Sequence, residues 1–275
     1  MNAKIAPAPD IADSYERYQE WPPDVTDGVA RYVLSAGGGA PRRCLILGCA
    51  TGVNDVLPLA RIAAPGDRIV AGDVEPAFLE KLRERSAGEG LRNIDARVLD
   101  VAADLELPGP FDLVSLLFVI HRLKAWEEAV DRLCRLVGPG GSFFISEFAG
   151  PEGVIYRSNE GGGVGTDPVT RLIRRYFELL PQRFEPPLRS TSIGPVLTRL
   201  ATLLKPSGRR EFVWLQSITS GEMLRRIADR AYAPYFTIPP PPELLRQLEK
   251  EFGAESGSRV SQKEVIRIYR FQRDA

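Results

Sequence analysis

Residues 44–52, reading CLILGCATG, constrain this chain more than any other part of it. Cys44, Leu45, Ile46 and Leu47 suit a strand buried on both faces of a parallel sheet, and Gly48 and Gly52 permit a sharp turn into a helix expected from near Asn54. Backbone amides in such a turn can approach a ligand closely. The dinucleotide fingerprint wants glycines at the first, third and sixth positions counted from Gly48, where the chain has Gly48, Ala50 and Val53, a poor match. A second strand, within residues 67–73, ends in Asp73 and leads into a helix with Pro76 near its first turn. Asp73 lies about 20 residues beyond the glycine turn, the offset at which a carboxylate accepts both hydroxyls of an adenosine ribose.

The next blocks follow in a recognisable order. A third strand at residues 96–99 ends in Asp100 and Val101; residues 111–123 (FDLVSLLFVIHRL) read as a long buried strand; a helix is expected at 126–137, and a fifth strand within GPGGSFFISEF, 138–148. With Thr51 before Gly52, this set resembles the class I S-adenosylmethionine-dependent methyltransferases, whose first motif is an acidic residue, any residue, then G-x-G-x-G. The resemblance covers roughly residues 40–150, with a weaker match at 15–23 and in the last strand. It implies S-adenosyl-L-methionine as cofactor and S-adenosyl-L-homocysteine as product. It places Gly48, Cys49, Ala50, Thr51 and Gly52 under the methionyl portion, Asp73 with Val74 at the ribose, Asp100 and Val101 at the adenine, and Leu117 and Phe118 on the wall facing the methyl group. Tyr15, Tyr18 and Trp21 would form an N-terminal lid, Tyr18 touching cofactor and the other two substrate. His121, the only histidine, is the candidate general base, with packing against the helix as the competing reading. Glu147, at the end of the fifth strand, is a candidate substrate contact. Asp104 competes with Asp100 for the strand end. Two positions depart from the pattern: Ile46 stands where the acidic residue belongs, and Ala50 replaces the middle glycine.

The pattern predicts an α/β fold, a doubly wound Rossmann-like sheet with an antiparallel last strand and a helical lid insertion. Residues 1–40 are expected to form the N-terminal helical lid, 41–150 and 208–275 the cofactor-binding domain, and 151–207 a substrate-binding or lid insertion. The insertion holds a GGGVG run at 161–165, a helix at 169–180 with Arg171, Arg174 and Arg175 on its polar face, and a second helix at 193–204. Beyond it come a strand at 211–216 (EFVWLQ), a helix capped by Ser220, a proline-introduced helix reaching Phe252, and the last strand at 265–271 (VIRIYRF). This arrangement resembles small-molecule methyltransferases of the trans-aconitate type.

Composition narrows the partners. The 275 residues carry 36 basic and 36 acidic side chains, which gives no electrostatic footprint for nucleic acid. No apolar run is long enough to span a bilayer, and residues 1–10 lack the apolar core of a signal peptide, so a cytoplasmic location without membrane contact is expected. Three cysteines are too few and wrongly spaced for a disulfide framework or zinc, and no metal is expected. The leading function is methyl transfer to a small-molecule acceptor, O-, N- or C-methylation being open. A protein or nucleic-acid methyltransferase is the second reading, disfavoured by LLFVIH where an Asn-Pro-Pro-Tyr type motif would stand. A non-catalytic or regulatory protein of the same fold is the third, suggested by Ile46 and Ala50. The sequence leaves the oligomeric state open.

Overall fold

The structure, a computed structural model, describes residues 11–36, 42–103, 105, 107–120, 123–148, 167–179, 193–228, 241–255, 257 and 259–275. Seven strands form one sheet: β1 (Arg43–Leu47), β2 (Arg68–Asp73), β3 (Ile94–Val98), β4 (Phe111–Leu116), β5 (Val137–Phe148), β6 (Lys205–Thr219) and β7 (Arg259–Gln272), in the order β3-β2-β1-β4-β5-β7-β6. Pairs among β1 to β5 are parallel, and β7 runs antiparallel to both β5 and β6. The strand order reverses between β1 and β4, which places the expected ligand crevice beyond the carboxyl ends of those strands.

Strand parity explains the layers. On β1, Cys44 and Ile46 point to one face and Leu45 and Leu47 to the other, all at most 1 % exposed. The first face is covered by α2 (Pro23–Leu34), α3 (Val56–Ile62) and α4 (Pro76–Gly88), whose Val29, Leu57 and Leu82 join Cys44, Ile46, Phe144 and Ile266 in one core. The second is covered by α5 (Trp126–Leu136) and α7 (Ile193–Leu203), through Val130, Leu133, Val196 and Leu200 against Leu45, Phe143 and Ile145. A third cluster is entirely peripheral: α6 (Pro168–Leu179), α8 (Ser220–Ala228) and α9 (Pro242–Phe252) pack around Tyr176, Met223 and Leu248 beside Ile218 of β6. The N-terminal helix α1 (Ile11–Gln19) lies against α4, joined by ion pairs from Lys81 to Asp13 and from Arg85 to Glu16.

Several expected elements shift. The fourth strand stops at Leu116 instead of running to residue 123, because Phe118 takes a left-handed φ of +57° and its N–H leaves the ladder for Ser146 Oγ at 3.1 Å. The third strand occupies 94–98 rather than 96–99, and the helix after the glycine turn begins at Val56. The sixth strand extends far beyond EFVWLQ, since KPSGRR pairs with β7 without offering any apolar alternation to read. The boundary expected at 207/208 therefore falls inside β6. The two insertion helices form where expected but pack apart: α6 joins α8 and α9, whereas α7 lies on α5, with Arg199 paired to Asp131 at 2.5 Å. Helix α8 is capped by Thr219 rather than Ser220: Thr219 Oγ1 accepts from Glu222 N at 3.1 Å while Glu222 Oε2 accepts from Thr219 N at 2.7 Å, a reciprocal capping box. The GGGVG run lies outside the described residues.

Candidate active site

At the carboxyl end of β1 the chain makes three departures into left-handed space, Gly48 at φ +67°, Ala50 at +46° and Gly52 at +73°. The turn is fastened from β2. Gly48 N donates to Gly72 O at 2.7 Å, and Asp73 Oδ2 accepts from Ala50 N at 2.8 Å while its Oδ1 accepts from Glu75 N at 3.0 Å. Asp73 is 8 % exposed, so it is less a rim carboxylate than a clasp that holds the turn. The glycines also answer to packing: a Cβ on Gly52 would meet Leu82 Cδ1 at 2.6 Å, and one on Gly48 would strike the Val119 side chain.

Sequence reasoning passed over two neighbours of the turn. Asn54 Oδ1 accepts from Trp21 N at 2.9 Å, and its Nδ2 donates to Gln19 O at 2.8 Å and toward the Tyr15 hydroxyl at 3.5 Å. One amide thus ties the N-terminal segment to the turn; only the aromatic cluster in that segment had signalled it. Asp55 caps α3, accepting from Val56 N at 2.6 Å. Burial pushes its carboxyl up to about 7, opposed by the Val56 hydrogen bond and reinforced by the charge of Asp73. Burial likewise drives the Cys49 thiol well above its ordinary value, so this cysteine packs as a small apolar residue. Cys44 and Cys134 are buried and free as well.

The remaining candidates fall into three places. Val74 stands 59 % exposed directly after Asp73, an apolar surface offered to the crevice. Asp100 Oδ1 accepts from Ala102 N at 2.8 Å in a local turn, while Val101 is 5 % exposed and its carbonyl is held by Arg132. On the first face of the sheet an aromatic group gathers at the strand ends. The Phe118 ring lies 4.3 Å from Phe148 and 5.0 Å from Trp21, and Trp21 lies 6.3 Å from Trp214 of β6. Trp21 is 8 % exposed and belongs to the core, and Leu117 is 4 % exposed beneath it. The Tyr15 ring packs 5.3 Å from Phe78. Glu147 is placed on the other face, where its Oε1 accepts from Arg267 Nη1 at 2.7 Å and from the Tyr269 hydroxyl at 2.8 Å. His121, Asp104 and the Tyr18 side chain lie outside the described residues.

The residues present fit an adenosyl sulfonium ligand in one respect and depart in another. Thr51 Oγ1 is fully buried in the turn with no partner among the described residues, and Val74 is exposed beside the Asp73 carboxylate. Ile46, by contrast, is a core residue at 1 % exposure with no acidic function to offer. Among the described residues no group of acidic, cysteine or histidine side chains is arranged for a metal, and no helix is long and apolar enough to cross a membrane.

Residues 45–143 match the family model described as a methyltransferase domain. Over these residues the chain is similar to a methyltransferase domain. The domain is 34 % identical over 125 residues to the demethylmenaquinone methyltransferase of Thermus thermophilus, covering 43 % of this chain and 54 % of that protein. It is 29 % identical over 123 residues to a ubiquinone/menaquinone biosynthesis C-methyltransferase of Stutzerimonas stutzeri, covering 43 % and 47 %. The chain thus spans about half the length of the curated relatives it matches. The fold of coclaurine N-methyltransferase, a structure bound to N-methylheliamine and S-adenosylhomocysteine, superposes with a TM-score of 0.54 at 14 % identity, over 90 % of this chain and 72 % of that one. At that identity the likeness speaks for the fold alone.

Proposed function

We propose that this protein transfers a methyl group from S-adenosylmethionine to a small, flat, largely apolar acceptor. The observation that carries the reading is the clasped turn: three left-handed residues at the end of β1, held by Asp73 at the end of β2, on a sheet ordered β3-β2-β1-β4-β5-β7-β6. When bound, the cofactor supplies an already activated methyl, so the protein's work is binding, alignment and exclusion of water. Asp73 keeps acceptor capacity for ribose hydroxyls beyond its two amide bonds. Val74 offers an apolar surface to the adenine, whose edge would face Asp100 and Val101, and Thr51 Oγ1 supplies a hydrogen-bonding group at the methionyl end.

The acceptor class is supported by the aromatic group of Trp21, Phe118, Phe148 and Trp214 at the strand ends, which favours stacked planar rings over charged substrates. It is also in keeping with the quinone precursor named for the Thermus relative. His121 is the candidate base if the acceptor must lose a proton. Glu147, already engaged by Arg267 and Tyr269 on the opposite face, is better suited to bracing β5 against β7 than to meeting substrate. The test is transfer of labelled methyl to a panel of phenols and hydroquinones set against small carboxylates and amines. Labelling confined to the aromatic set supports the reading; labelling confined to carboxylates or amines contradicts it.

A further inference from the structure

On the sheet's second face α5 and α7 pack over β1, β4, β5 and β7, with Val70 of β2 only at the margin of that cluster. Crossovers in parallel sheets usually contribute a helix, yet the connection between β3 and β4 forms none among its described residues. At the amino end of β2 and β3, opposite the cofactor turn, that face is covered only in part: Val70 is half-buried and Asp95 and Arg97 are exposed. A groove of about 410 Å³ opens there, within the range of small-molecule sites.

Its lining is predominantly basic. Arg43, Arg68, Arg92 and Arg97 face a single carboxylate, Asp95, in a chain whose formal charge is zero. Arg43 is fixed by the carbonyls of Pro108 and Pro110 and by the Phe111 ring, 4.9 Å from its guanidinium carbon. Carbonyls and a ring orient that guanidinium, while the Asp112 carboxylate accepts from the Arg43 backbone N–H at 2.7 Å. Arg97 bonds Asp95 at 2.6 and 2.9 Å. Arg68 spends one N–H on the Asp67 carbonyl at 3.3 Å, and Arg92 has no ion-pair or hydrogen-bond partner among the described residues. Two guanidinium forks are therefore open to the groove above an apolar floor that includes Val70 and Phe111.

We propose that this groove binds a small phosphorylated molecule, an oligophosphate or phosphate ester, at a site separate from the methyl-transfer crevice. Every cation in it is an arginine, the side chain whose planar fork matches phosphate oxygens in pairs, and no lysine contributes. The groove is too small for a nucleic-acid track, which needs an extended basic surface. The apolar floor suits the organic part of a phosphate ester.

The test is calorimetric titration of the full chain with sodium tripolyphosphate, using citrate as a polyanion without phosphorus. Tripolyphosphate should bind the wild type at least about tenfold more tightly than citrate, and R68A/R92A should weaken it by about tenfold or more. S-adenosylmethionine titrations should be the same for both proteins. Arg68 and Arg92 are exposed, so the double variant should fold; R92K, which keeps the charge and loses the fork, provides the second measurement and should also weaken binding. No heat with wild type, equal affinity for citrate, or undiminished binding in R68A/R92A or R92K would overturn the proposal. Failure of the wild type to bind S-adenosylmethionine would leave these titrations unaffected and count against the methyl-transfer reading alone.

Discussion

Two residues, one in the glycine turn and one beside it, are energetically unfavourable where they stand. Ala50 holds φ +46°, a region costing a residue with a Cβ roughly 1 kcal/mol relative to glycine. Ala50→Gly should raise stability by about that amount in denaturant melts; no gain would mean the turn tolerates the methyl. Asp55 titrates at about 7 against an ordinary ~3.9. Its folded form holds the proton more tightly, so its contribution favours the fold at low pH and is lost as pH rises from about 4 through 7. Asp55→Asn should lift the melting temperature more at pH 8 than at pH 5, and an equal lift at both would contradict the burial account. Asp73 stands at the end of β2, where its spacing from the turn predicts the strand to end. Its offset from the turn was visible, but its bonds to Ala50 N and Glu75 N come from chain folding that no spacing reveals. Asp73→Ala should therefore cost the fold about 1–3 kcal/mol in a denaturant melt, and an unchanged melt would contradict the clasp.

Elements were legible where their hydrophobic period was strong. The buried run of β1 and the helical spacing of α6 gave nearly correct bounds, since each buries a regular set of apolar side chains. The amino half of β6 was hidden, because edge-ribbon pairing with β7 satisfies its backbone while its side chains stay exposed. The tether of the N-terminal segment was equally hidden in a single amide. Asn54→Ala removes acceptor and donor together, leaving Trp21 N and Gln19 O unmatched. Proteolysis between α1 and α2 should become markedly faster, and an unchanged cleavage rate would show that aromatic packing alone holds the segment. Near the amino end of β2, Asp67 is fully buried and accepts three bonds from Arg42. Burial raises its carboxyl, but Arg42 and the Ala64 amide outweigh that and hold it below the ordinary value. The stability it contributes is present above about pH 4 and lost on acidification through its lowered value. Asp67→Ala should cost roughly 3–5 kcal/mol at pH 7 in a denaturant melt and much less near pH 2.

At the scale of the molecule, the doubly wound sheet with its reversed last strand is readable because seven strand segments appear in one order. The division of the helices is not, because it depends on which face each returns to. Helices α6, α8 and α9 form their own core around Leu248, which is fully buried. Leu248→Ala should cost about 2–5 kcal/mol, with hydrogen exchange rising in these helices while β1 and β2 stay protected. The central claim is that the clasped turn binds S-adenosylmethionine. Its most direct test is calorimetric titration of wild type and Asp73→Asn, a variant that keeps an acceptor for Ala50 N but loses the charge. Micromolar binding by the wild type, weakened roughly ten- to a hundredfold in the variant for a charge-assisted bond worth ~1.5–3 kcal/mol, is the result predicted. Absence of binding by the wild type, or equal affinity in both, would contradict it.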